Sequence, residues 1–337
     1  MKKALKILLL FNSPSAQPRG YEYKEEFADP ENMYTENDIH RALLVNGHGV
    51  RVLGLFNDIA PLLEEVREFP PDVIFNLVDM FNEKAQWDKN AAALIEMLGI
   101  PFTGCSPVSL MLCNNKAMSK KILSYHRIKV PHFETFDRGR RVQVGKKLKL
   151  PAVVKPLCEE ASRGISQASV ADSAEALEER VKFIHQKMEM DAIAEEYVDG
   201  RELYVTVMGR KKIEVFPARE LLFGELPEGE PRIATYKAKW DDAYRQRWGI
   251  KSVFAGKLSE ELERQVSETC KRAYRALGLD AYARFDIRVT PDGQVFIIEA
   301  NANPCLARID EMAQSAEKLG LAYDALVQRV VEMALER

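Results

Sequence analysis

Residues 283–304, ARFDIRVTPDGQVFIIEANANP, carry four polar side chains in a pattern that could do chemistry. Two apolar runs flank a Pro-Asp-Gly turn, which predicts a β-hairpin. Side chains alternate between the two faces of a strand, so residues two apart share a face. We therefore expect the polar groups to converge on one face of the hairpin, opposite Ile298. Those groups are Arg284, Asp286, Glu299 and Asn301.

Three of these side chains offer the hard oxygen ligands that magnesium prefers. The carboxylates of Asp286 and Glu299 and the amide of Asn301 suit Mg²⁺, which completes its coordination with water and phosphate oxygens. The alternative is a solvated sheet face on which Arg284 forms ion pairs with the two acids. The sequence favours the metal site, because an amide two residues from a carboxylate is unusual on a solvated face.

The first third of the chain predicts an α/β domain that occupies residues 1–115. Short apolar runs alternate with helical patterns, as in parallel strands joined by crossover helices. The first run is too short for a secretory signal and is better explained as a buried strand. The runs lie at 4–11, 50–56 and 72–78, and the helical patterns at 36–46, 58–67 and 89–101.

Residues 12–35 interrupt this alternation with a long segment that has no clear periodicity. Loops of this length in a compact domain are usually lids, binding segments or disordered. The segment contains several aromatic residues, including Tyr21, Tyr23 and Phe27, and disordered segments are generally poor in aromatics. The composition therefore favours a lid.

The rest of the chain predicts an α+β arrangement. We expect a central subdomain at 116–202 and a C-terminal subdomain at 203–337 that contains the hairpin. Helical patterns and apolar strands are mixed in both. The helices are predicted at 116–126, 173–187, 258–277 and 311–335, and the strands at 129–136, 153–156, 192–198 and 201–209.

Composition excludes several classes of protein. The chain has 337 residues and a net charge of -3, which gives no broad basic field for nucleic acid. Its apolar runs are too short to span a bilayer. Five cysteines without a CxxC pair indicate neither a disulfide framework nor a zinc site. We therefore expect a cytoplasmic protein that binds neither nucleic acid nor a membrane.

The hairpin resembles the metal-binding hairpin of the ATP-grasp ligases, and among these the chain is similar to the D-alanine D-alanine ligases. Six motifs follow that family's order. They are GIPFTG (99–104), NKAMSKKIL (115–123), VVKP (153–156), EEYVDGRE (195–202), YKAKW (236–240) and the hairpin. The resemblance implies an ATP-grasp fold, in which a parallel-sheet domain precedes two α+β subdomains that sandwich ATP.

The resemblance also implies a role for each motif residue. Lys116, Lys155 and Lys239 would hold nucleotide phosphates, and Arg284 would be the catalytic residue that stabilises a charged intermediate. The three oxygen ligands of the hairpin would hold two Mg²⁺, with Mn²⁺ as an alternative. Singly, each lysine could be an ordinary surface or helix-end charge, and the ordered set favours function. The other ATP contacts would be Ser162, Glu195, Glu196, Tyr197, Val198, Glu202 and Ile298.

The resemblance weakens around the substrate. The loop LCEEASRGIS (157–166) aligns with the family's phosphate-covering loop, but Ala161 replaces a serine beside the substrate. Trp240 stands where a tyrosine closes the family's active site, and Cys305 replaces a glycine. The family's N-terminal substrate motif and its histidine after the third strand are absent. These departures imply the same reaction type acting on a different substrate.

Several polar residues in this divergent half are candidate substrate contacts. Arg308 could bind a substrate carboxylate bidentately, and a surface arginine at the start of a helix is the competing explanation. The candidates are Tyr34, Asn76, Asp79, Asn82, Trp87, Asn303 and Arg308.

The resemblance implies an ATP-dependent carboxylate-amine ligase that forms an amide or peptide bond through an acylphosphate. Its small-molecule substrates would be amino acids or small peptides. A kinase, a non-catalytic nucleotide-binding regulatory protein and an interaction scaffold stay open as alternatives, although the retained hairpin residues argue against lost catalysis. The resemblance also implies a homodimer.

Overall fold

A computed structural model of the chain describes residues 4–18, 20–28, 33–159, 161–226 and 229–337. Parts of two predicted segments lie outside the described residues, namely positions 19 and 29–32 of the 12–35 segment and Glu160 of the 157–166 loop. The described residues form three β-sheets with helices packed against them. None of the described helices is long and apolar enough to cross a membrane.

The first sheet is parallel, as the alternating pattern predicts. Its strand order is β2-β1-β3. Apolar side chains point to both faces of the sheet, and helices cover both faces. Leu9 packs on the same side as Leu43, whereas Leu10 packs on the other side with Leu62 and Ile95. The elements are β1 (Lys6–Asn12), α1 (Lys24–Ala28), α2 (Tyr34–Val45), β2 (Gly49–Leu55), α3 (Ala60–Glu68), β3 (Val73–Leu77), a 3₁₀ turn (Ala85–Trp87), α4 (Asp88–Met97) and α5 (Pro107–Asn114).

The described part of the 12–35 segment is packed against this sheet. Tyr23 is buried, its ring meets Phe11 edge to face at 5.1 Å, and its hydroxyl accepts a hydrogen bond from the Gly54 N–H at 3.0 Å. Phe27 stacks at a tilt on His40 of α2. These aromatic residues therefore anchor the segment to the first domain, whereas the lid function stays a prediction.

The second sheet is antiparallel, with strand order β4-β7-β5-β6. Its core includes Val154, Leu177 and Ala194, so α7 covers one of its faces. The elements are α6 (Lys116–Tyr125), β4 (Phe133–Phe136), β5 (Ala152–Pro156), a 3₁₀ turn (Gln167–Ser169), β6 (Val170–Ala171), α7 (Ala174–Phe183), a π-helical turn (Ile184–Met188) and β7 (Ala192–Glu196).

The third sheet contains the predicted hairpin. Its strand order is β11-β10-β8-β12-β13, and β9 pairs with β8. The elements are β8 (Arg201–Met208), β9 (Glu214–Val215), β10 (Arg219–Leu222), α8 (Tyr236–Trp240), α9 (Asp242–Arg247), β11 (Lys251–Phe254), α10 (Glu260–Ala276), β12 (Tyr282–Val289), β13 (Val295–Ala302), α11 (Glu311–Lys318) and α12 (Tyr323–Leu335).

The single helix predicted at 311–335 is wrong, because the chain breaks it into α11 and α12 around Gly320. That glycine has φ +81, a left-handed conformation in which a side chain is strained. The break lets α12 return to the first domain, where Asn46 Nδ2 donates to the Asp324 carbonyl at 2.8 Å. The three predicted domain limits stay a prediction, and β8 already begins at Arg201.

Candidate active site

A central cleft of about 580 Å³ lies between the second and third sheets. Most residues that the sequence assigns to ATP border it, although they come from distant parts of the chain. The lining residues are Pro131, Val153, Lys155, Ser162, Ile165, Glu195, Glu196, Tyr197, Val198, Glu202, Ile233, Ala234, Lys239, Asp286, Arg288, Ile298 and Glu299.

The hairpin brings its polar side chains together through the register of β12 and β13. Asp286 pairs with Glu299, and Arg284 pairs with Asn301. A β-bulge then shifts the register and leaves Ile298 as an extra residue. The expectation that Ile298 faces away from the polar groups is therefore wrong, because Ile298 and Glu299 both line the central cleft. The bulge re-aims one side chain, which alternation alone does not predict.

Asp286 lies at the centre of the polar cluster and is 6% exposed. Arg284 grips it with two hydrogen bonds, Nε to Oδ1 at 2.7 Å and Nη2 to Oδ2 at 3.2 Å. Asn301 Nδ2 donates to Oδ1 at 3.2 Å, and Lys239 Nζ lies 3.7 Å from Oδ2. Burial raises the pKa of Asp286, and the positive charges of Arg284 and Lys239 oppose that rise.

Glu299, the cross-strand partner, pairs with a lysine from helix α6. Lys116 Nζ, at the start of α6, lies 2.8 Å from Glu299 Oε1. Burial opposes ionisation of Glu299, but the charges of Lys116 and Lys155 outweigh it and lower the pKa to about 2. Glu299 is therefore ionised at neutral pH.

These side chains fit a magnesium site by the chemistry of their donors. Among the described residues no three Asp, Glu, His or Cys side chains gather closely enough to hold a metal, so the cluster offers two carboxylates and the amide of Asn301. Mg²⁺ needs only one or two protein carboxylates, because water and phosphate oxygens complete its coordination. Arg284, Lys116 and Lys239 provide the counter-charge in this structure.

A second buried charge cluster lies on the other side of the cleft. Glu195 is 1% exposed, with Lys155 Nζ 3.0 Å from Oε2 and Lys120 Nζ 3.0 Å from Oε1. Lys120 also donates to the Ile298 carbonyl at the bulge. Lys120 was not predicted as a site residue, although this lysine stands four residues after Lys116 and so shares its helix face.

The predicted adenine and ribose contacts lie along β7 and β8. The N–H groups of Glu196 and Tyr197 donate to the carbonyls of His132 (2.8 Å) and Pro151 (2.9 Å), which positions this edge of the cleft. Glu202 accepts from Tyr204 at 3.0 Å and forms a buried ion pair with Arg288. Arg288 was also missed, although it shares the face of Arg284 and Asp286 on β12.

The 157–166 loop lies over the cleft and contacts α8. Trp240 Nε1 donates to the Ala161 carbonyl at 3.0 Å, and the Tyr236 N–H donates to the Ile165 carbonyl at 3.0 Å. Ser162 lines the cleft in a left-handed conformation, with φ +59. The two departures from the family pattern, Ala161 and Trp240, therefore contact each other.

The candidate substrate contacts do not line the central cleft. Asn303 Oδ1 accepts from the Cys105 N–H at 2.6 Å, and a Cβ on Gly104 (φ +93) would lie 2.6 Å from Asn303 Nδ2. Arg308 turns to Asp324, 3.6 Å away, and stacks on Tyr323. Asn303 is therefore held inside the fold, whereas Arg308 forms a surface ion pair.

The other candidates belong to the first domain. Asn76 is 3% exposed, and its Oδ1 accepts from the Val78 N–H. Trp87 stacks on Phe81 at 6.2 Å and lies under Lys84. Asn82 lines another cavity, at the carboxyl ends of β1 and β2. Tyr34 begins α2, and Asp79 follows β3 with its N–H on Asn12.

Fold and cleft together define a class of protein in which a parallel-sheet domain precedes two antiparallel sheets with a charged cleft between them, as the resemblance to the ATP-grasp ligases implies. Comparisons with known proteins agree. The family model described as D-ala D-ala ligase C-terminus matches residues 118–332. The chain is 30% identical over 278 residues to the uncharacterized protein y4sG of Sinorhizobium fredii, which covers 80% of this chain and 79% of that protein.

It is 27% identical over 301 residues to the D-alanine--D-alanine ligase of Geotalea uraniireducens, with 88% of each chain covered. The crystal structure of D-alanine--D-alanine ligase from Bacillus anthracis complexed with ATP has a TM-score of 0.75 and 21% identity. It covers 99% of this chain and 98% of that chain. The chain therefore belongs to the D-Ala-D-Ala ligase family and has the ATP-grasp fold. The predicted class, an ATP-dependent ligase that forms C-N bonds, is confirmed at the level of this family.

Proposed function

We propose that this protein uses ATP to join a small carboxylic acid to an amine through an acylphosphate, on a substrate pair other than two D-alanines. The observation that carries the proposal is the cleft in which Lys155 and Lys239 face the Asp286 and Glu299 pair. Three departures from the family pattern, at Ala161, Trp240 and Cys305, support a different pair of substrates.

The cleft residues would bind ATP along its length. Lys116, Lys155 and Lys239 would hold the phosphates, because each lysine brings a compact positive charge to the cleft. Glu202 would bind the ribose. Ser162 and Ile298 would contact the nucleotide from the loop and the bulge. The adenine would lie against the edge formed by Glu195, Glu196, Tyr197 and Val198.

Asp286, Glu299 and Asn301 would hold two Mg²⁺, or Mn²⁺, beside the triphosphate. When bound, the metal would neutralise the charge that develops on the transferred phosphoryl group. Lys116 and Lys239 neutralise the Glu299 and Asp286 carboxylates in this structure. A metal bound to these carboxylates would replace the two lysines and release them toward phosphate.

The chain's own residues would orient the reactants and offset charge. An oxygen of the acid attacks the γ-phosphorus, the bond to the β,γ-bridging oxygen breaks, and ADP leaves. The acceptor's ammonium group loses a proton to solvent, and the resulting amine attacks the acyl carbon. Phosphate then leaves with its bonding electrons, and the nitrogen gives up a second proton to solvent as the amide forms. Arg284 would offset the negative charge of the tetrahedral intermediate. The 157–166 loop, tied to Trp240, would exclude the water that hydrolyses an acylphosphate.

The two substrates are proposed to be amino acids or small peptides, in a homodimeric cytoplasmic enzyme. That dimer and that location were predicted from the sequence, and both stay predictions.

The test is a substrate screen. The protein is incubated with ATP, Mg²⁺ and pools of amino acids and dipeptides, while phosphate release and product mass are measured. We expect phosphate only when the right acid is present, together with a mass that corresponds to an amide. A stable phosphorylated product would instead indicate a kinase, and no turnover with any pool would count against catalysis. Glu299→Gln serves as the background control for contaminating ATPases.

A further inference from the structure

Arg284, the proposed stabiliser of the intermediate, is shared between two carboxylates. Its Nε and Nη2 donate to Asp286, and its Nη1 lies 3.6 Å from Glu311 Oε2 at the start of α11. Burial disfavours its charge, but Asp286 and then Glu311 raise its pKa above the usual range. The guanidinium is therefore permanently charged, with its charge already matched inside the protein.

Glu311 is not one of the proposed metal ligands, and this makes its contact informative. If Asp286 turns toward a metal, Glu311 stays as the carboxylate partner of Arg284. The side chain of Glu311 is 26% exposed, so it also faces the space beyond the cleft. A substrate carboxylate that sought Arg284 would have to compete with Glu311 in that space.

Two neighbouring arginines make contacts elsewhere in the fold. Arg219, which also attracts Glu311, donates to Ser252 at 2.8 Å and stacks on Phe254 at 4.5 Å. Arg308 turns away to Asp324.

The pKa values of neighbouring acidic groups indicate that a further negative charge is disfavoured in the same region. Asp310 immediately precedes Glu311, and partial burial raises its pKa, with the charge of Glu311 adding to the rise. The phenol of Tyr34 has a pKa raised to about 12 by desolvation, with Cys305, Asp310 and Glu36 contributing. A negatively charged group would be repelled here, whereas a positively charged or neutral one would not.

We propose that Glu311 makes this enzyme select an amine that has no carboxylate beside its nucleophilic nitrogen. The acceptor is an amino-acid amide, a peptide whose carboxylate lies far away, or a simple amine, and it is not a free α-amino acid. This inference rests on the proposed function, because it assumes that the amine attacks the acylphosphate near Arg284. The competing explanation is that Glu311 only bridges Arg219 and Arg284 in the fold.

The experiment separates activation of the acid from choice of the amine. Each enantiomer of alanine and the other common amino acids are offered as acids with ATP, Mg²⁺ and hydroxylamine, which traps acylphosphates as hydroxamates. The best acid is then paired with glycine or glycinamide, and with alanine or alaninamide of either hand. We expect kcat/KM to favour each amide over its acid by at least about tenfold.

Glu311→Gln tests the residue itself. We expect the preference for the amide to fall at least about tenfold, because Arg284 loses its second carboxylate partner and its Nη1 can bind a substrate carboxylate in its place. Each variant's amide and acid rates are divided by its own hydroxamate rate, so a general loss of activity cancels. Glu317→Gln removes the same charge from an exposed position of α11 and should leave the preference unchanged.

Three results would each contradict a different part of this inference or of the proposed function. Hydroxamate formation with a preference for free amino acids overturns the acceptor inference and leaves the proposed function standing. A preference that is equal in the wild type and in folded Glu311→Gln, checked by thermal melting, assigns Glu311 to the fold alone. No hydroxamate from any acid in the panel removes the proposed function and this inference with it.

Discussion

The nucleotide half of the molecule, around the central cleft, and the substrate half, which the sequence assigns to the substrates and which surrounds α2, α4 and α11, differ in how their buried carboxylates are balanced. In the nucleotide half Glu195 and Glu299 are buried against lysines, which outweigh burial and lower both pKa values, although burial still raises the pKa of Asp286. In the substrate half burial prevails, and the pKa values of Glu36, Asp88 and Asp310 are raised.

This difference in pKa values indicates which sign of charge a ligand would bring to each half. Lys116 neutralises Glu299, and Lys155 neutralises Glu195. Under the proposed function, a metal on Glu299 would release Lys116 toward a phosphate. In the substrate half, no lysine outweighs burial at Asp88 or Asp310, so both pKa values stay raised. We therefore expect the first half to accept an anion and the second to accept a neutral or cationic group.

The largest expected effect comes from the cleft carboxylates. Glu299→Gln or Asp286→Asn should lower turnover on the order of a thousandfold, because each removes a proposed metal ligand at the site of developing charge. Phosphate release with saturating ATP measures this. Asp292→Asn, in the exposed turn of the same hairpin, is the matched control. Full turnover in both cleft variants would sink the metal assignment.

The second effect tests whether the lysine pairing holds the nucleotide half together. Lys120→Met should lower the free energy of unfolding by about 3 kcal/mol, because it removes one partner of a buried ion pair and the donor to Ile298. Lys121→Met, on the exposed side of the same helix, should change it by less than about 0.5 kcal/mol. Denaturant unfolding compares them, and equal losses would contradict the role given to Lys120.

The third effect concerns nucleotide binding. Lys155→Ala should weaken ATP binding by about ten- to a hundredfold, since it removes a compact charge from the phosphate end of the cleft. Calorimetry with Mg²⁺ and a non-hydrolysable ATP analogue measures the change. Lys146→Ala, exposed in the loop before β5, is the control. Equal affinity in the two variants would remove Lys155 from the site.

The smallest effect probes an acid of the substrate half. Asp88 is 7% exposed, and burial raises its pKa to about 6. A raised pKa means that protonated Asp88 favours the folded state at low pH, and that this contribution is lost as the pH rises through about 6. Asp88→Asn does not titrate and keeps an acceptor for the Lys89 N–H, so it should stabilise the protein by about 1 kcal/mol at pH 8.

The direction of the pH dependence of unfolding tests whether the protonated form of Asp88 favours the folded state. The advantage of Asp88→Asn over the wild type should shrink as unfolding is measured at pH 8, then 6.5, then 5. Glu83→Gln, an exposed acid of the same domain, should show no such trend. An advantage that grows toward low pH would show that Asp88 is stabilised as a carboxylate, and the contrast between the two halves would fail.

Much of the fold could be predicted because its signals are local. The strands at 4–11, 50–56 and 72–78 follow from apolar runs between helical patterns, and the parallel sheet follows from their alternation. The helix break at Gly320 was missed because apolar periodicity continues across it, although the glycine itself was a stop signal. The bulge at Ile298 was missed because a strand's alternation carries no mark of an inserted residue.

The structure gathers most of the predicted ATP contacts at the central cleft and leaves the candidate substrate residues outside it, while the roles of both sets stay predictions. Asn303 and Arg308 look available in the sequence, yet Asn303 holds the Cys105 N–H and Arg308 pairs with Asp324. Such partners lie far away in the chain, so spacing cannot reveal that these groups are already occupied. The same limit hid the contact between Glu311 and Arg284.

By itself the sequence determined the order of strands and helices, the faces of the hairpin and the residues that resemble a ligase, because these depend on periodicity and on local residue types. Only the tertiary structure decided which charges neutralise each other. Lys120 meets Glu195, and Arg284 meets Glu311, because two separate sheets and their helices pack around one cleft. Burial there makes each pairing decisive, since a charge removed from water needs a partner that only the folded chain can place beside it.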